Sequence, residues 1–264
     1  MIMNRTLLVF CCLGALALPL LACSPSPSPT SIPASTNWQQ TVDALSALNP
    51  GGIPEHLQQV DAVRDGTEFD PNRYFSVLTH LSMEAGYVLD YVYYYDGMGG
   101  LPMLYARPAD QAPYENYAAY SAAVDNTGEQ RSSYLEHVRT DGTAEGFFEL
   151  VVLSINGGQF YLFWHANYND VQVVCNRDRM EGIVSSLEEA GNLPLSEDAL
   201  LEARAIDYTP VIEFVGDTVR VRIITFSMWT GFSEEIYILD REFPHQFRDV
   251  EYKVLVPYDC GIMF

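Results

Sequence analysis

The side chains with the greatest potential for chemistry in this sequence are its five histidines, which are well separated along the chain. No two of them have the spacing of a metal-binding pair. His80 and Glu84 are four residues apart, so on a helix they would lie on the same face. An imidazole and a carboxylate placed in this way can hold a metal ion or couple an acid to a base. The alternative is a pair on a helix surface or at a helix end, because the sequence shows no third ligand.

A second polar group falls at residues 164–170, where His165 and Asp170 flank two asparagines. Imidazole and oxygen donors at a strand end could form a site, but their spacing is not that of a known calcium loop. A polar turn is the alternative interpretation. The sequence has no nucleophile elbow, phosphate loop, zinc-protease motif or dinucleotide fingerprint. It therefore predicts no cofactor, no metal and no recognised reaction.

Four tyrosines alternate along one predicted strand: Tyr87, Tyr91, Tyr93 and Tyr95. With Trp164 or Trp229 they could form an aromatic platform for a sugar or a peptide. The packing of a sheet against helices would use the same residues, so core packing is the alternative.

The His80 and Glu84 pair depends on a helix predicted to begin at Asp70-Pro71 and to continue until Gly86. Other predicted helices lie at residues 37–48, after Pro54, and at residues 113–124, 177–190 and 196–206. The predicted strands are residues 87–95, 101–106, 171–175, 210–215, 218–226, 234–239 and 250–256, with a hairpin over residues 147–165 that turns at Asn156-Gly157. Hairpins imply antiparallel pairing, and clustered helices imply an α+β fold, for which we favour a single domain over residues 37–264.

The N-terminal residues have the organisation of an export signal. Arg5 precedes an apolar segment, Leu7–Leu18, whose 12 residues are too few to span a bilayer, which takes roughly 20. Pro19 then breaks any helix, and Leu20-Leu21-Ala22-Cys23 follows. This tetrapeptide resembles the lipobox of bacterial type II signal peptides. The resemblance implies cleavage after residue 22 and a diacylglycerol on the Cys23 thiol, and it makes residues 1–22 a signal peptide.

Residues 23–36 then form a lipidated cysteine and a Ser/Pro-rich tether, which is too poor in apolar side chains to fold. We expect the chain to be extracytoplasmic and held at a bacterial membrane by its lipid. Ser24, rather than an aspartate, follows Cys23 and is compatible with the outer membrane if the cell has one.

Two cysteines, Cys175 and Cys260, remain after the signal peptide is removed and Cys23 is lipidated. An even pair in an oxidising compartment predicts a Cys175–Cys260 disulfide bond. Two buried free thiols are the alternative.

The charge of the chain excludes one class of partner. The formal net charge is −21, and cleavage of the signal would change it to −22 by removing Arg5. Such a surface repels phosphate backbones, so nucleic acid is not an expected partner. These features favour a non-catalytic envelope module that binds a small-molecule ligand or an envelope protein. The alternative is an envelope or extracellular hydrolase with a site around His80 and Glu84 or around His165 and Asp170.

Overall fold

The computed structural model describes residues 37–127, 133–164 and 170–261. Cys23, the signal segment, the tether and His165 lie outside these ranges. The α-helices are α1 (Trp38–Ser46), α2 (Tyr117–Thr127), α3 (Ala144–Asn156), α4 (Arg177–Glu189) and α5 (Glu197–Ala205). Short 3-10 helices span Glu55–Leu57, Pro71–Ser76 and Tyr134–His137. The strands are β1 (Leu81–Met83), β2 (Tyr87–Tyr95), β3 (Gly99–Pro108), β4 (Val138–Thr140), β5 (Phe163–Trp164), β6 (Gln172–Val174), β7 (Val211–Val215), β8 (Thr218–Ser227), β9 (Gly231–Asp240) and β10 (Phe247–Val256).

The strands form three antiparallel sheets, which confirms the predicted α+β class. The largest has the order β10-β9-β8-β6, with β7 also paired to β8. A second sheet has the order β2-β3-β5, and β1 pairs with β4 in the third. Within the ranges described, no helix is both long and apolar enough to cross a membrane.

The large sheet has helices on both faces. Val219, Val221 and Ile223 of β8 alternate on one face and belong to the main core with α1 and α3. The other face, with Ile224 and Phe226, packs in a second cluster with α4 and α5. This alternation follows from the period of two in a strand and places the sheet between two helical layers.

Helix α3 lies at the centre of the main core. Its side chains Phe147, Phe148, Leu150, Val151, Val152 and Leu153 have no exposed surface. Thr143 caps the helix by accepting a hydrogen bond from the backbone N–H of Gly146. Gly157 follows its last turn at a point where a Cβ atom would lie 2.5 Å from the Leu153 carbonyl oxygen. A glycine is therefore required for the chain to leave the helix here.

The predicted hairpin over residues 147–165 is wrong, because its first arm lies in α3. A continuous apolar run fits a helix buried on every side as well as it fits a strand. Of the predicted return strand, only Phe163 and Trp164 pair, with Gly100 and Gly99 of β3. This segment is helical because packing partners surround it on most sides. The spacing of its apolar residues alone does not reveal those partners.

The prediction of a helix from Asp70 to Gly86 is also wrong. Asp70 caps a 3-10 helix that ends at Ser76, and the chain enters strand β1 at Leu81. The helix predicted after Pro54 is likewise a single 3-10 turn. Leu57 is buried there, but Val60 is 67% exposed, so the expected apolar face does not form.

Predictions based on local signals are confirmed. Asn37 and Ser196 each accept a hydrogen bond at the first turn of α1 and α5, as expected of capping side chains. Asn176 caps α4 in the same way, although this cap was not predicted. In α4, Met180, Ile183, Val184 and Leu187 are the buried residues, as their spacing predicts. The β2–β3 hairpin also forms, and the Asp96 carboxylate accepts bonds from two backbone N–H groups in its turn.

The structure does not contain the predicted disulfide bond. Cys175 and Cys260 are both free thiols. Cys175 is buried in the main core, whereas Cys260 packs against the cluster on the other face of the large sheet. The two side chains therefore lie in different hydrophobic clusters.

The central position of α3 generates a stability prediction. We expect Leu150→Ala to lower the free energy of unfolding by about 3 kcal/mol, because the cavity left in a dense core collapses only partly. Leu201→Ala is the matched control, since Leu201 on α5 is 64% exposed and its loss should change stability by less than about 0.5 kcal/mol. Denaturant unfolding measures both, and equal effects would contradict the central role of α3.

Candidate functional site

The structure separates His80 from Glu84. His80 Nδ1 lies 2.7 Å from Asp141 Oδ2, and Glu84 Oε2 lies 2.9 Å from His137 Nδ1. Glu84 also accepts a hydrogen bond from Arg139. Because residues 80–84 are extended and not helical, the two side chains bind different partners and form no shared site.

His80 instead belongs to a cluster with two carboxylates. Glu149 of α3 is only 4% exposed, and its Oε2 accepts a hydrogen bond of 2.8 Å from the His80 backbone N–H. Burial raises the Glu149 pKa from 4.5 to about 7. The hydrogen bond to Asp141 raises the pKa of His80. Both shifts favour the protonated forms of these two side chains.

Asp141 and Thr143 lie in the turn that caps α3. Asp141 Oδ1 accepts hydrogen bonds from the backbone N–H and the hydroxyl of Thr143. These bonds are those of a polar turn at a helix start. The same turn positions the second carboxylate oxygen of Asp141 for His80.

Asp170 has a structural contact. Its Oδ2 accepts a hydrogen bond of 2.9 Å from the backbone N–H of Met228, and burial raises its pKa. Its other oxygen is buried and has no partner among the described residues. Since His165 lies outside those residues, the predicted pair with Asp170 stays a prediction.

Two of the four alternating tyrosines of β2 pack in the interior. Tyr91 and Tyr93 are at most 1% exposed, and Tyr93 donates a hydrogen bond of 2.6 Å to the Tyr161 carbonyl. Tyr87 and Tyr95 are half-buried, and the Tyr87 ring stacks on His137 with 4.0 Å between the ring centroids. The contacts of Tyr91 and Tyr93 are therefore those of the core-packing interpretation.

A cluster near the N-terminal end of the fold brings together side chains that can bind metals. Ligand atoms of His56, Asp65 and Glu68 all lie within 4.8 Å of one another. The Glu68 carboxylate already accepts hydrogen bonds from two backbone N–H groups and lies 2.6 Å from the His56 imidazole. These bonds account for the arrangement without an ion.

Beside this loop lies a cavity of about 360 Å³ in which Arg64 and Arg107 share one buried carboxylate. Arg64 Nη2 lies 2.5 Å and Arg107 Nε 2.8 Å from the carboxylate oxygens of Asp90. The Arg64 guanidinium also covers the Tyr91 ring at 4.2 Å. Glu68 and Asp70 line the same cavity, so its formal charge is not positive and we assign it no anion.

Another cavity among the described residues, of about 490 Å³, is a cleft where the second sheet, the end of α3 and the large sheet meet. Its volume lies within the range of small-molecule sites. The apolar part of its lining consists of Leu101–Leu104 of β3 together with Tyr134, Ile155 and Val171. We refer to this cavity as the cleft.

Polar groups of the cleft come from α3, from the segment after it and from β9. Glu235 accepts hydrogen bonds from the Tyr237 hydroxyl at 2.5 Å and from the Thr225 hydroxyl at 2.7 Å. Gln159 donates to the Val171 carbonyl, and Ser154 donates to the carbonyl of Val151. These bonds fix the side chains in place, and the Glu235 carboxylate is the one formal charge in the lining.

Sequence patterns predict neither the cluster of His80, Asp141 and Glu149 nor the lining of the cleft. A single glutamate, Glu149, inside an otherwise apolar run was the available signal for the buried carboxylate. No comparable signal marks the cleft, because its lining comes from residues between 101 and 237 that only the fold brings together.

Comparison with known proteins provides no family. No protein-family model matches the chain, and neither a curated protein nor a solved structure does so.

The buried Glu149 predicts a pH dependence. Its pKa is higher in the folded state than its ordinary value of 4.5, so the folded protein binds this proton more tightly than the unfolded chain does. The contribution of this proton to the free energy of unfolding is fully present below pH 4.5 and is lost as the pH rises to about 7. The loss over this range amounts to about 3 kcal/mol.

Glu149→Gln should therefore become more stable relative to the native chain as the pH rises over this window. Its amide oxygen can still accept the hydrogen bond from His80. Denaturant unfolding at several pH values measures the difference, and the exposed Glu188→Gln is the control. A difference independent of pH would contradict the burial of an ionisable Glu149.

Proposed function

We propose that the chain is a lipid-anchored extracytoplasmic protein that binds a small, mainly apolar molecule in the cleft without transforming it. The observation that carries the binding function is the cleft itself, with apolar walls, fixed polar groups and a volume of about 490 Å³. The lipobox-like Leu20–Cys23 segment supports the anchor, and the Ser/Pro-rich tether that follows supports a domain held away from the membrane.

The lining of the cleft specifies the class of ligand. Leucine, methionine and tyrosine side chains favour an apolar body. Glu235 favours an N–H or cationic group on the ligand, because a carboxylate only accepts hydrogen bonds. A strongly acidic ligand is disfavoured by Glu235 and by the net charge of −21.

The hydrolase alternative has less support. It relied on His80 acting with Glu84 or on His165 acting with Asp170, and the first two side chains have separate partners. His80, Asp141 and Glu149 form a titratable cluster, but these residues do not line the cleft. Binding therefore remains the function that the geometry supports better.

The cleft predicts binding of an apolar probe. N-phenyl-1-naphthylamine, which is neutral and carries an N–H group, should bind the full chain with increased fluorescence. Ser154→Trp should weaken this binding by about tenfold or more, because an indole would fill the cleft.

Ser186→Trp is the matched control for this experiment. Ser186 on α4 makes the same hydrogen bond to a carbonyl of its own helix as Ser154 does, but it does not line the cleft. Equal binding by Ser154→Trp and the native chain, or no binding by the native chain, would contradict the proposed ligand class.

The anchor predicts covalent lipid. Cells that produce the full chain and are fed an alkyne-tagged palmitate should incorporate the tag, and Cys23→Ser should abolish incorporation because its hydroxyl is not the lipidated thiol. Cys260→Ser, which leaves the lipobox intact, should retain it. A tag that persists in Cys23→Ser would contradict the anchor.

A further inference from the structure

Strand β10 is an unusually exposed edge of the large sheet. It pairs with β9 on one side, and among the described residues no strand pairs with its other side. Residues 248–254 are exposed on both faces of the strand. Val250, Tyr252 and Val254 are 42%, 52% and 40% exposed, although valine and tyrosine are residues that strands normally bury.

These three side chains share one face. The register with β9 places Val250 opposite Tyr237, Tyr252 opposite Glu235, and Val254 opposite Ser233. The Tyr252 hydroxyl lies 2.8 Å from Ser233 Oγ, which holds the ring against the sheet. The apolar stripe Val250-Tyr252-Val254 therefore continues the inner face of the sheet beyond its helical cover.

The opposite face of β10 carries charges of both signs. Glu251 and Lys253 are exposed there, and Lys253 is the only lysine in the sequence. Two copies of β10 that pair antiparallel about a two-fold axis through Tyr252 would place Glu251 of each opposite Lys253 of the other. The same register places Val250 opposite Val254 twice and Tyr252 opposite itself. All of these are favourable cross-strand pairs.

Neighbouring registers that keep the two apolar stripes on one face are unfavourable. A shift of the axis by one residue towards the N-terminus places Glu251 opposite Glu251, and a further shift places Asp249 opposite Glu251. A shift in the other direction places Lys253 opposite Lys253. Like charges directly opposite each other destabilise a sheet. A shift of two residues in that direction, to an axis through Val254, opposes no like charges but loses both Glu251–Lys253 pairs. Among these registers, the axis through Tyr252 is therefore the one that opposes unlike charges and no like charges.

We propose that β10 is the interface between two copies of this chain, which join their large sheets into one continuous antiparallel sheet about a two-fold axis at Tyr252. The backbone groups of the edge pair in the dimer, and the stripe Val250-Tyr252-Val254 meets its own copy. A lysine on an edge strand is also a common means of preventing such pairing. That role predicts a monomer, which is the result that would overturn the proposal.

The single lysine makes a specific cross-linking experiment available. The full chain, purified in detergent from membranes of cells that produce it, is treated with an amine-reactive suberate cross-linker and digested for mass spectrometry. A peptide joining Lys253 to Lys253 can arise only between two copies, and it is the expected product. Its absence, or a product that joins Lys253 to a different protein, would overturn the proposal.

Charge exchange tests the register by sedimentation equilibrium on the same material. Lys253→Glu should weaken dimerisation by about tenfold or more, because two attractive pairs become repulsive. The double variant Glu251→Lys/Lys253→Glu should recover most of the dimer, since opposite charges face each other again across the interface. Its recovery is measured against Glu251→Lys alone, because Glu251 also forms an ion pair of 3.0 Å with Arg220 of its own chain. Glu213→Lys, at an exposed position of β7 in the same sheet, should leave it unchanged. A dimer insensitive to Lys253→Glu, with thermal unfolding confirming the fold of each variant, would overturn the proposal.

Discussion

The burial of α3, in which only Glu145, Ser154 and Ile155 are partly exposed, is the constraint on which the rest of the structure depends. A helix that is apolar around its whole circumference needs partners on every side. Helix α1 covers it through the contact of Trp38 with Phe148, whose ring centroids are 4.6 Å apart. Strands β7 and β8 cover it from the large sheet, and β1 and β4 pack against it as well. Two of the three sheets, the large sheet and the β1–β4 pair, thus each bury part of this one helix.

The buried carboxylate, the cleft and the exposed edge strand all lie where the packing around α3 or the large sheet is incomplete. Glu149 lies in the core because the helix that carries it is buried there, and its carboxylate accepts a hydrogen bond from the backbone N–H of residue 80. The cleft opens where α3 ends near Asn156 and the two larger sheets diverge. The exposed side chains of β10 lie where the large sheet extends beyond the helical layer. The buried Glu149, the cleft and the exposed edge of β10 therefore share one structural cause.

The parts of the fold that local chemistry controls could be predicted from the sequence, and the parts that the tertiary environment controls could not. Helix α4 was predictable because its cap and its apolar spacing are contained in one segment. Helix α3 was not, because an apolar run gives no period once every face is buried. The pairing of His80 with Asp141 joins residues 61 positions apart, and no spacing rule relates them. The cleft shares this difficulty, since its polar groups look ordinary until the fold assembles them.

The central position of α3 also determines when the chain can fold. The helix contacts α1, which precedes it by about a hundred residues, and β7 and β8, which begin more than fifty residues after it. Contacts so distant in sequence require long loops to close. The entropy lost in closing them precedes the free energy gained by burying apolar surface, and folding is therefore slow. During synthesis the core has to wait for residues beyond 211 to emerge. The polypeptide therefore stays open for most of its passage from the ribosome, which is the state that the proposed export would require.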